Sequence, residues 1–368
     1  MPIKGLRLWA ALALATGTAA VGADPADTAA VSPARTFLAT EFGIGSSDLQ
    51  DVARRRAVGR SLPTQDNREV ATLGLVHVRV PARFYVDQLR DVVSFKRAES
   101  VQQIGLFGTP ARVEDLAGLT IPAEQLERLR RCRPQDCGMQ LSADAIARFT
   151  TDVQWDTPRA EEQANALLRQ ILVDLVNKYR RSGPAALMEY NDRRQPLATA
   201  RAFEAMVADR PVVLQRFPSL YRHVVHFPSS SAPDVQDVIY WSREKMGPAV
   251  IITVTHMSYA RLDAPAGAFA VASKQLYGSQ YFDASLGLTL LLPDDAAGDG
   301  SAYLVYVNRS RLDVLGGMLG AVKRPIVRSR TRSAVADQMI KVRDMVERRF
   351  QARNSAIAAG GPAASGPR

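Results

Sequence analysis

Five strand-like segments follow one another between Asp237 and Asp313, and they constrain the fold more than any other feature of the chain. Segments rich in β-branched and aromatic residues that are separated by turn residues are typical of antiparallel hairpins. Pro265 with Gly267 marks one turn, and the Asp/Gly-rich run at 294–300 marks another. The five segments are DVIYWSREKMG, AVIITVTHMSYARL, AFAVASKQLYGSQ, YFDASLGLTLLLP and AYLVYVNRSRLD. We therefore expect an antiparallel meander.

A long amphipathic helix is predicted after the last strand. Its apolar residues recur at steps of three and four, which places them on one helical face. They are Val335, Met339, Val342, Val346 and Phe350. Upstream of the meander, EVATLGLVHVRVP and VQQIGLFG predict two more strands on either side of a short helix in ARFYVDQLRDVV. The strand total is then seven.

Residues 110–230 separate the second strand from the third, and their apolar periodicity is helical. In EEQANALLRQILVDLVNKYRRSG, for example, Leu168, Leu172 and Leu175 share one face, and Gly183 marks the end of the helix. The predicted fold class is α+β: an antiparallel seven-stranded sheet gripping a long C-terminal helix, with a helical insertion after the second strand.

The amino terminus has the pattern of a cleaved export signal. A short basic start precedes an apolar stretch and the small-x-small triplet Val21-Gly22-Ala23. The stretch of about 14 residues is shorter than the roughly 20 that a helix needs to cross a bilayer. We therefore predict a periplasmic or secreted protein. The predicted organisation is a signal peptide at 1–23, an N-terminal helical lead-in at 24–68, a main domain at 69–352 that contains the insertion at 110–230, and a disordered tail at 353–368.

Charge and cysteine content agree with export. The formal net charge of the chain is +10, and for an exported protein anionic membrane lipids are more accessible partners than nucleic acid. The two cysteines, Cys132 and Cys137, lie on either side of Pro134 and Asp136, which favour a tight turn. In an oxidising compartment we expect them to form a disulfide.

Two resemblances bear on the fold. The order of the segments resembles the START/Bet v 1-like helix-grip fold, although the insertion at 110–230 departs from it. A family of uncharacterised exported bacterial proteins is similar to this chain over most of the mature sequence. That similarity implies export and folding as one unit, and it implies no activity or site residue. It is carried by FKRAESVQQIGLFGTP, LRRCRPQDCGMQL, VIYWSREKMGP, SKQLYGSQYFDASLGLT and YLVYVNRSRLDVLGG.

Common catalytic motifs do not occur: there is no G-x-S-x-G, H-E-x-x-H, P-loop or G-x-G-x-x-G. Ser273 and Lys274 are neighbours on a predicted strand and so point to opposite faces. His223 and His226 could meet on one helical turn, but no third ligand lies near them in sequence. We therefore predict no catalytic residues, no metal site and no cofactor.

The polar residues of the predicted sheet suggest an anchor for the head of a mostly apolar ligand. They are Lys274, Gln280, Tyr281, Asp283, His256 and Arg309. The leading hypothesis is a carrier for a lipid or another apolar or amphipathic small molecule. One alternative is a cyclase- or hydrolase-like enzyme with Asp283, Lys274 or His256 as its acid–base group. Another is a structural envelope protein with a filled core. The alternative interpretation of the polar residues is that they face solvent, with Asp283 in a cross-strand ion pair.

The segment LDVLGGMLGAVKRPIVRSRTR combines an uncharged run with a basic end. It predicts either a cover for the core or a mobile lid that contacts an anionic membrane. In the second case the apolar residues enter the lipid interface and the cations meet headgroups. The predicted contact residues are Leu315, Met318, Leu319, Lys323, Arg324 and Arg328.

Overall fold

The structure is a computed structural model that describes residues 32–359 apart from 209–211, 231, 233, 248 and 317–319. The signal peptide predicted at 1–23 lies outside the described residues. No helix within the described part of the chain is both long and apolar enough to cross a membrane.

The described residues form ten strands and eleven α-helices. The strands are β1 (Val58–Leu62), β2 (Glu69–Val78), β3 (Val101–Leu106), β4 (Glu189–Tyr190), β5 (Leu197–Ala198), β6 (Val235–Met246), β7 (Ala249–Arg261), β8 (Phe269–Gly278), β9 (Phe282–Pro293) and β10 (Ala302–Leu312). The helices are α1 (Pro33–Phe42), α2 (Ser46–Ala53), α3 (Ala82–Arg90), α4 (Val92–Phe95), α5 (Ala123–Leu129), α6 (Ala143–Thr151), α7 (Ala160–Ser182), α8 (Thr199–Ala208), α9 (Val212–Gln215), α10 (Pro218–His226) and α11 (Gly320–Ala358).

Eight of the strands form one antiparallel sheet in the order β1-β2-β10-β9-β8-β7-β6-β3, and β4 pairs with β5. The predicted α+β class, the antiparallel meander and the long C-terminal helix are confirmed. The sheet has one strand more than predicted because β1, which the sequence placed in the helical lead-in, pairs with β2. The helical insertion therefore follows the third strand of the chain, and it occupies the predicted stretch between β3 and β6.

Helices cover both faces of the sheet. Successive residues of a strand point to opposite faces, and β10 shows the result: Leu304 packs in a cluster with α3 and α11, whereas Val305 packs in a cluster with α1, α8 and α10. The insertion helix α7 contributes to a further cluster with Ile252 and Val254 of β7. Helices of the insertion and the C-terminal helix thus pack on opposite faces of the same sheet.

Helix α11 lies close against β1 and β2 where these strands carry glycine. A Cβ atom on Gly59 would stand 2.7 Å from the carbonyl oxygen of Arg332, and one on Gly74 would stand 2.6 Å from Cγ of Met339. Only hydrogen atoms fit in these gaps, so the two glycines permit the contact. The helix ends at Ala358. Residues 353–358 of the predicted tail are therefore helical, and 360–368 lie outside the described residues.

The predicted disulfide is confirmed. Cys132 and Cys137 are bonded, with 4.4 Å between their Cα atoms. Between them, the backbone N–H of Asp136 donates to the carbonyl of Arg133 at 3.0 Å, and Gln135 has a positive φ of 72°. The bond therefore closes a tight local turn, as the spacing indicated.

Candidate functional site

The six residues predicted to bind a ligand do not form one site. Lys274 and His256 lie opposite each other on β8 and β7. Asp283 is held in a separate ion-pair network, and Gln280 donates to the carbonyl of Gly138 at 3.5 Å. Arg309 donates to Glu69 on β2 at 2.9 Å. The sheet thus divides the predicted set into at least three environments.

Asp283 is a buried structural anion. Its side chain is fully buried, and its two oxygens accept hydrogen bonds of 2.7 Å from Arg193 and Arg311. Arg311 also donates to Asp66 at 2.9 Å. Arg193 follows β4, so this network ties the helical insertion to the sheet. A cross-strand ion pair of Asp283 was one of the alternatives predicted from the sequence; its partner is Arg311 of β10, and the pair faces the interior instead of solvent.

Tyr281, just before Asp283, has the left-handed backbone conformation, with a φ of 66°. Its carbonyl accepts from the backbone N–H of Asp313. Such a φ is uncommon for a residue with a side chain. Here it accompanies the turn that brings the start of β9 beside the end of β10.

A second polar group lies under β6 and β7, and we call it the Asp237 cluster: Tyr179, His223, Asp237, His256 and Ser258. Asp237 is on β6, opposite Ser258 of β7. His256 precedes Ser258 by two residues and therefore shares its face. Four elements thus deliver the cluster, because α10 supplies His223 and α7 supplies Tyr179 in addition to the residues of β6 and β7. On α10, His223 lies on the same buried face as Leu220 and Val224.

The carboxylate of Asp237 is the centre of the cluster. Nε2 of His256 is 2.8 Å from its Oδ1, and Nε2 of His223 is 2.9 Å from both of its oxygens. The hydroxyl of Ser258 donates to Oδ1 at 2.7 Å. On the far side of His256, Nδ1 is 3.0 Å from the hydroxyl of Tyr179. The cluster is therefore one connected hydrogen-bond network.

The environment shifts the pKa of Asp237 and of both histidines. Burial raises the pKa of Asp237, but the hydrogen bonds from His223, His256 and Ser258 outweigh it and lower the pKa, so this group stays a carboxylate. The hydrogen bond to Asp237 raises the pKa of His223. Burial lowers the pKa of His256 despite the same partner. Of the two imidazoles, His223 is accordingly the better carrier of positive charge.

Aromatic rings enclose the imidazoles, while the carboxylate reaches solvent. The ring of Phe227 lies 4.6 Å from that of His256, 5.5 Å from that of His223 and 5.2 Å from that of Tyr179. The side chain of His256 is 1% exposed, that of His223 is 6% exposed and that of Asp237 is 27% exposed. The cluster therefore has one accessible side, at Asp237.

Lys274 lies beside this cluster in an apolar setting. Its Nζ donates to the carbonyl of Val224 at 3.2 Å and stands 4.1 Å from the ring centroid of Phe203 and 5.5 Å from that of Tyr179. Burial lowers the pKa of Lys274 to about 7, and Glu204 opposes this only partly. The amine is therefore partly neutral at physiological pH.

Asp237 and Tyr179 are not among the residues predicted from the sequence, and His223 was paired there with His226. One signal could have found Asp237. Met246 and Ala249 are the paired residues next to the turn of the β6–β7 hairpin. Asp237 and Ser258 are each nine residues away from that pair along their strands, so they are also paired. Because register in a hairpin follows from its turn, this count places Asp237 near His256. The contributions of α7 and α10 come from tertiary packing.

A cleft of about 460 Å³ that is separate from the Asp237 cluster lies between the loops that follow β2, β7 and β9. Arg83, Arg261, Phe269, Pro293 and Asp294 contribute to its lining. None of the residues predicted to bind a ligand lines it.

The structure places only part of the predicted membrane segment at the surface. Leu315 is buried in a small cluster with Val70 and Leu312. Lys323 is exposed, whereas Arg324 and Arg328 donate to the hydroxyl of Thr64 at 2.9 and 3.3 Å. The other two predicted contact residues, Met318 and Leu319, lie outside the described residues.

Comparison with family models, with curated proteins and with solved structures finds no match to this chain. The fold and the Asp237 cluster are therefore the basis for any functional conclusion. They describe an α+β protein in which two imidazoles and a carboxylate converge at the edge of a covered antiparallel sheet.

Proposed function

We propose that the protein is an exported enzyme whose reaction centre is the Asp237 cluster. Export is supported by the signal-like residues 1–23 and by the disulfide between Cys132 and Cys137, because such bonds are typical of oxidising compartments. Hydrolysis is the reaction class that fits best, since imidazole and carboxylate groups act together on water in many hydrolases.

The observation that carries the proposal is the convergence of two imidazoles on one carboxylate that solvent can reach. A carboxylate that solvent reaches can also be reached by a ligand, whereas a fully enclosed one cannot. Here the imidazoles are buried and Asp237 is 27% exposed. A small polar substrate or a water molecule can therefore approach the group that the imidazoles hold in place.

The test compares the products that the protein forms from bacterial envelope extracts. Polar and lipid fractions are incubated with wild-type protein, with His256→Gln and with His226→Gln, and are then analysed by mass spectrometry. His226 is the matched control because it lies on α10 one turn from His223 and outside the cluster. We expect product masses that require wild-type protein, that persist in His226→Gln and that disappear in His256→Gln. Identical masses with all three proteins would contradict the proposal.

A carrier for an amphipathic molecule is the second candidate, and the cleft of about 460 Å³ favours it. This volume is within the range of ligand pockets, and Arg83 and Arg261 beside Phe269 offer cations next to an apolar surface. Native mass spectrometry of protein purified from the periplasm tests it. A co-purifying lipid that is lost from Arg261→Gln would support the carrier, and a protein mass free of ligand in repeated preparations would contradict it.

A further inference from the structure

Three side chains of the Asp237 cluster carry atoms that metal ions bind. These atoms are one ring nitrogen each of His223 and His256 and a carboxylate oxygen of Asp237, and all lie within 4.8 Å of one another. The imidazoles both direct Nε2 toward the carboxylate. They do so from different elements, α10 and β7, so the convergence does not follow from a local sequence motif.

Both ring nitrogens of His223 face hydrogen-bond acceptors, so the contacts of this ring require a positive charge. Nδ1 is 3.1 Å from the carbonyl oxygen of Ser230, and Nε2 is 2.9 Å from the carboxylate of Asp237. Both partners are acceptors only, whereas a neutral imidazole has a single N–H group. If Nδ1 donates to Ser230, the Nε2 atom needs either a second proton or a cation between it and Asp237.

The rear contacts of both imidazoles match those of metal-binding histidines. A histidine that binds a metal through Nε2 usually donates its Nδ1 proton to a carbonyl, a carboxylate or another oxygen, and this fixes the tautomer and the ring. In His223 that oxygen is the carbonyl of Ser230, and in His256 it is the hydroxyl of Tyr179. Both Nε2 atoms then carry no proton, and each can bind a metal ion through its lone pair.

The distances from the two imidazoles to the carboxylate are close to those between ligand atoms around one ion. With bonds of about 2.1 Å, neighbouring ligand atoms stand about 3.0 Å apart in octahedral geometry and about 3.4 Å apart in tetrahedral geometry. The separations here are 2.8 Å for His256 and 2.9 Å for His223. These two nitrogen–oxygen separations are therefore close to those around a bound ion, and the ring nitrogens of the two histidines lie within 4.8 Å of each other.

We propose that His223, Asp237 and His256 together bind one divalent transition-metal ion, and that Zn²⁺ suits this set of nitrogen and oxygen ligands. Two imidazoles and a carboxylate with at least one free position form the ligand set of many catalytic zinc sites. The free position would lie on the exposed side of Asp237, where water or a substrate oxygen can bind. The inference rests on the proposed reaction centre for its chemical role, but its test does not require activity.

The experiment is a calorimetric titration of Zn²⁺ into EDTA-treated protein that carries no histidine tag. We expect one ion per chain. Asp237→Asn and His223→Gln should each lower the affinity by more than 100-fold, and Tyr179→Phe by about 10- to 100-fold, as is usual for a partner behind a ligand. His226→Gln should leave the affinity unchanged. Circular dichroism establishes that each variant is folded, and Tyr179→Phe changes only a hydroxyl.

Absorption of the Co²⁺-loaded protein provides a second readout, because the visible bands of cobalt report nitrogen and oxygen coordination. Loss of these bands in His223→Gln and their retention in His226→Gln support the site. No Zn²⁺ binding by wild type, or equal binding by wild type and Asp237→Asn, would overturn it. Turnover that survives EDTA in a protein that binds no Zn²⁺ would reject the metal and keep the enzyme. A bound Zn²⁺ ion without turnover would support the metal site and contradict the proposed enzyme.

Discussion

The carboxylate of Asp283 accepts a hydrogen bond of 2.7 Å from Nη1 of Arg311, and its other oxygen accepts one of the same length from Arg193. Arg311 comes from β10, the last strand along the chain, and Arg193 comes from the helical insertion. A fully buried anion thus joins the helical insertion to the sheet.

Replacing Asp283 by Asn should destabilise the protein by about 3 to 5 kcal/mol, because it removes a fully buried anion from between two partly buried guanidinium groups. Asp66→Asn is the control: Asp66 also pairs with Arg311 but its side chain is 39% exposed, so its loss should cost under about 1 kcal/mol. Urea denaturation measures both. Equal losses would show that burial does not set the strength of this network.

Lys274 should make stability rise with pH. Its pKa is about 7 in the folded chain and about 10.4 when unfolded, so between these values the unfolded state binds the extra proton. Stability therefore increases through that window, by at most about 1.4 kcal/mol per pH unit, and is flat below it. Urea denaturation across the window should lose this rise in Lys274→Met and keep it in Lys178→Met, a change at an exposed lysine of α7.

A methyl group at position 59 should disturb the seat of α11. The Cβ atom of Gly59→Ala would stand 2.7 Å from the backbone oxygen of Arg332, and a backbone atom cannot rotate away as a side chain can. We expect a loss of about 1 to 3 kcal/mol, the usual range for overpacking. Gly118→Ala is the matched control, because nothing lies within 4 Å of a Cβ atom at that position. Thermal unfolding of Gly59→Ala and Gly118→Ala gives the comparison, and equal melting temperatures would contradict the close contact.

The disulfide should contribute locally. Closing so short a loop stabilises a protein by about 2 kcal/mol in the chain-entropy model, so the double change of Cys132 and Cys137 to Ser should leave a folded protein. Hydrogen exchange should accelerate around 130–140 and stay unchanged in β6–β10. Faster exchange throughout the sheet would mean that the bond supports the whole fold.

Contact with anionic membranes stays a prediction, and it now depends on the basic residues of α11. Lys323 and Arg330 are exposed, and each cation near an anionic surface contributes on the order of 1 kcal/mol. Their joint change to Gln should reduce sedimentation with anionic vesicles at low salt, while Lys245→Gln, at an exposed lysine of β6, should not. Equal binding to neutral and anionic vesicles would leave the segment as a cover for the core.

Much of the fold was readable from the sequence because it depends on local periodicity. The strand-like segments of the meander, the stripe of Val335, Met339 and Val346 on α11, and the turn between Cys132 and Cys137 each involve neighbours along the chain. Strand β1 was not readable in the same way. Its sequence, VGRSL, has little apolar pattern, and it is a strand because β2 offers an edge to pair with and α11 covers Gly59.

The candidate site shows the same division. The sequence placed His256 on a strand face and the hairpin turn fixes its distance from Asp237, but His223 and Tyr179 reach them only because α10 and α7 pack on that face. For Asp283 the sequence suggested a cross-strand ion pair without its partner, and the tertiary structure decided that the partners are Arg311 and Arg193 and that the carboxylate is buried. Periodicity and turns act over a few residues, whereas the meeting of side chains from separate elements depends on how whole faces pack, which no local pattern encodes.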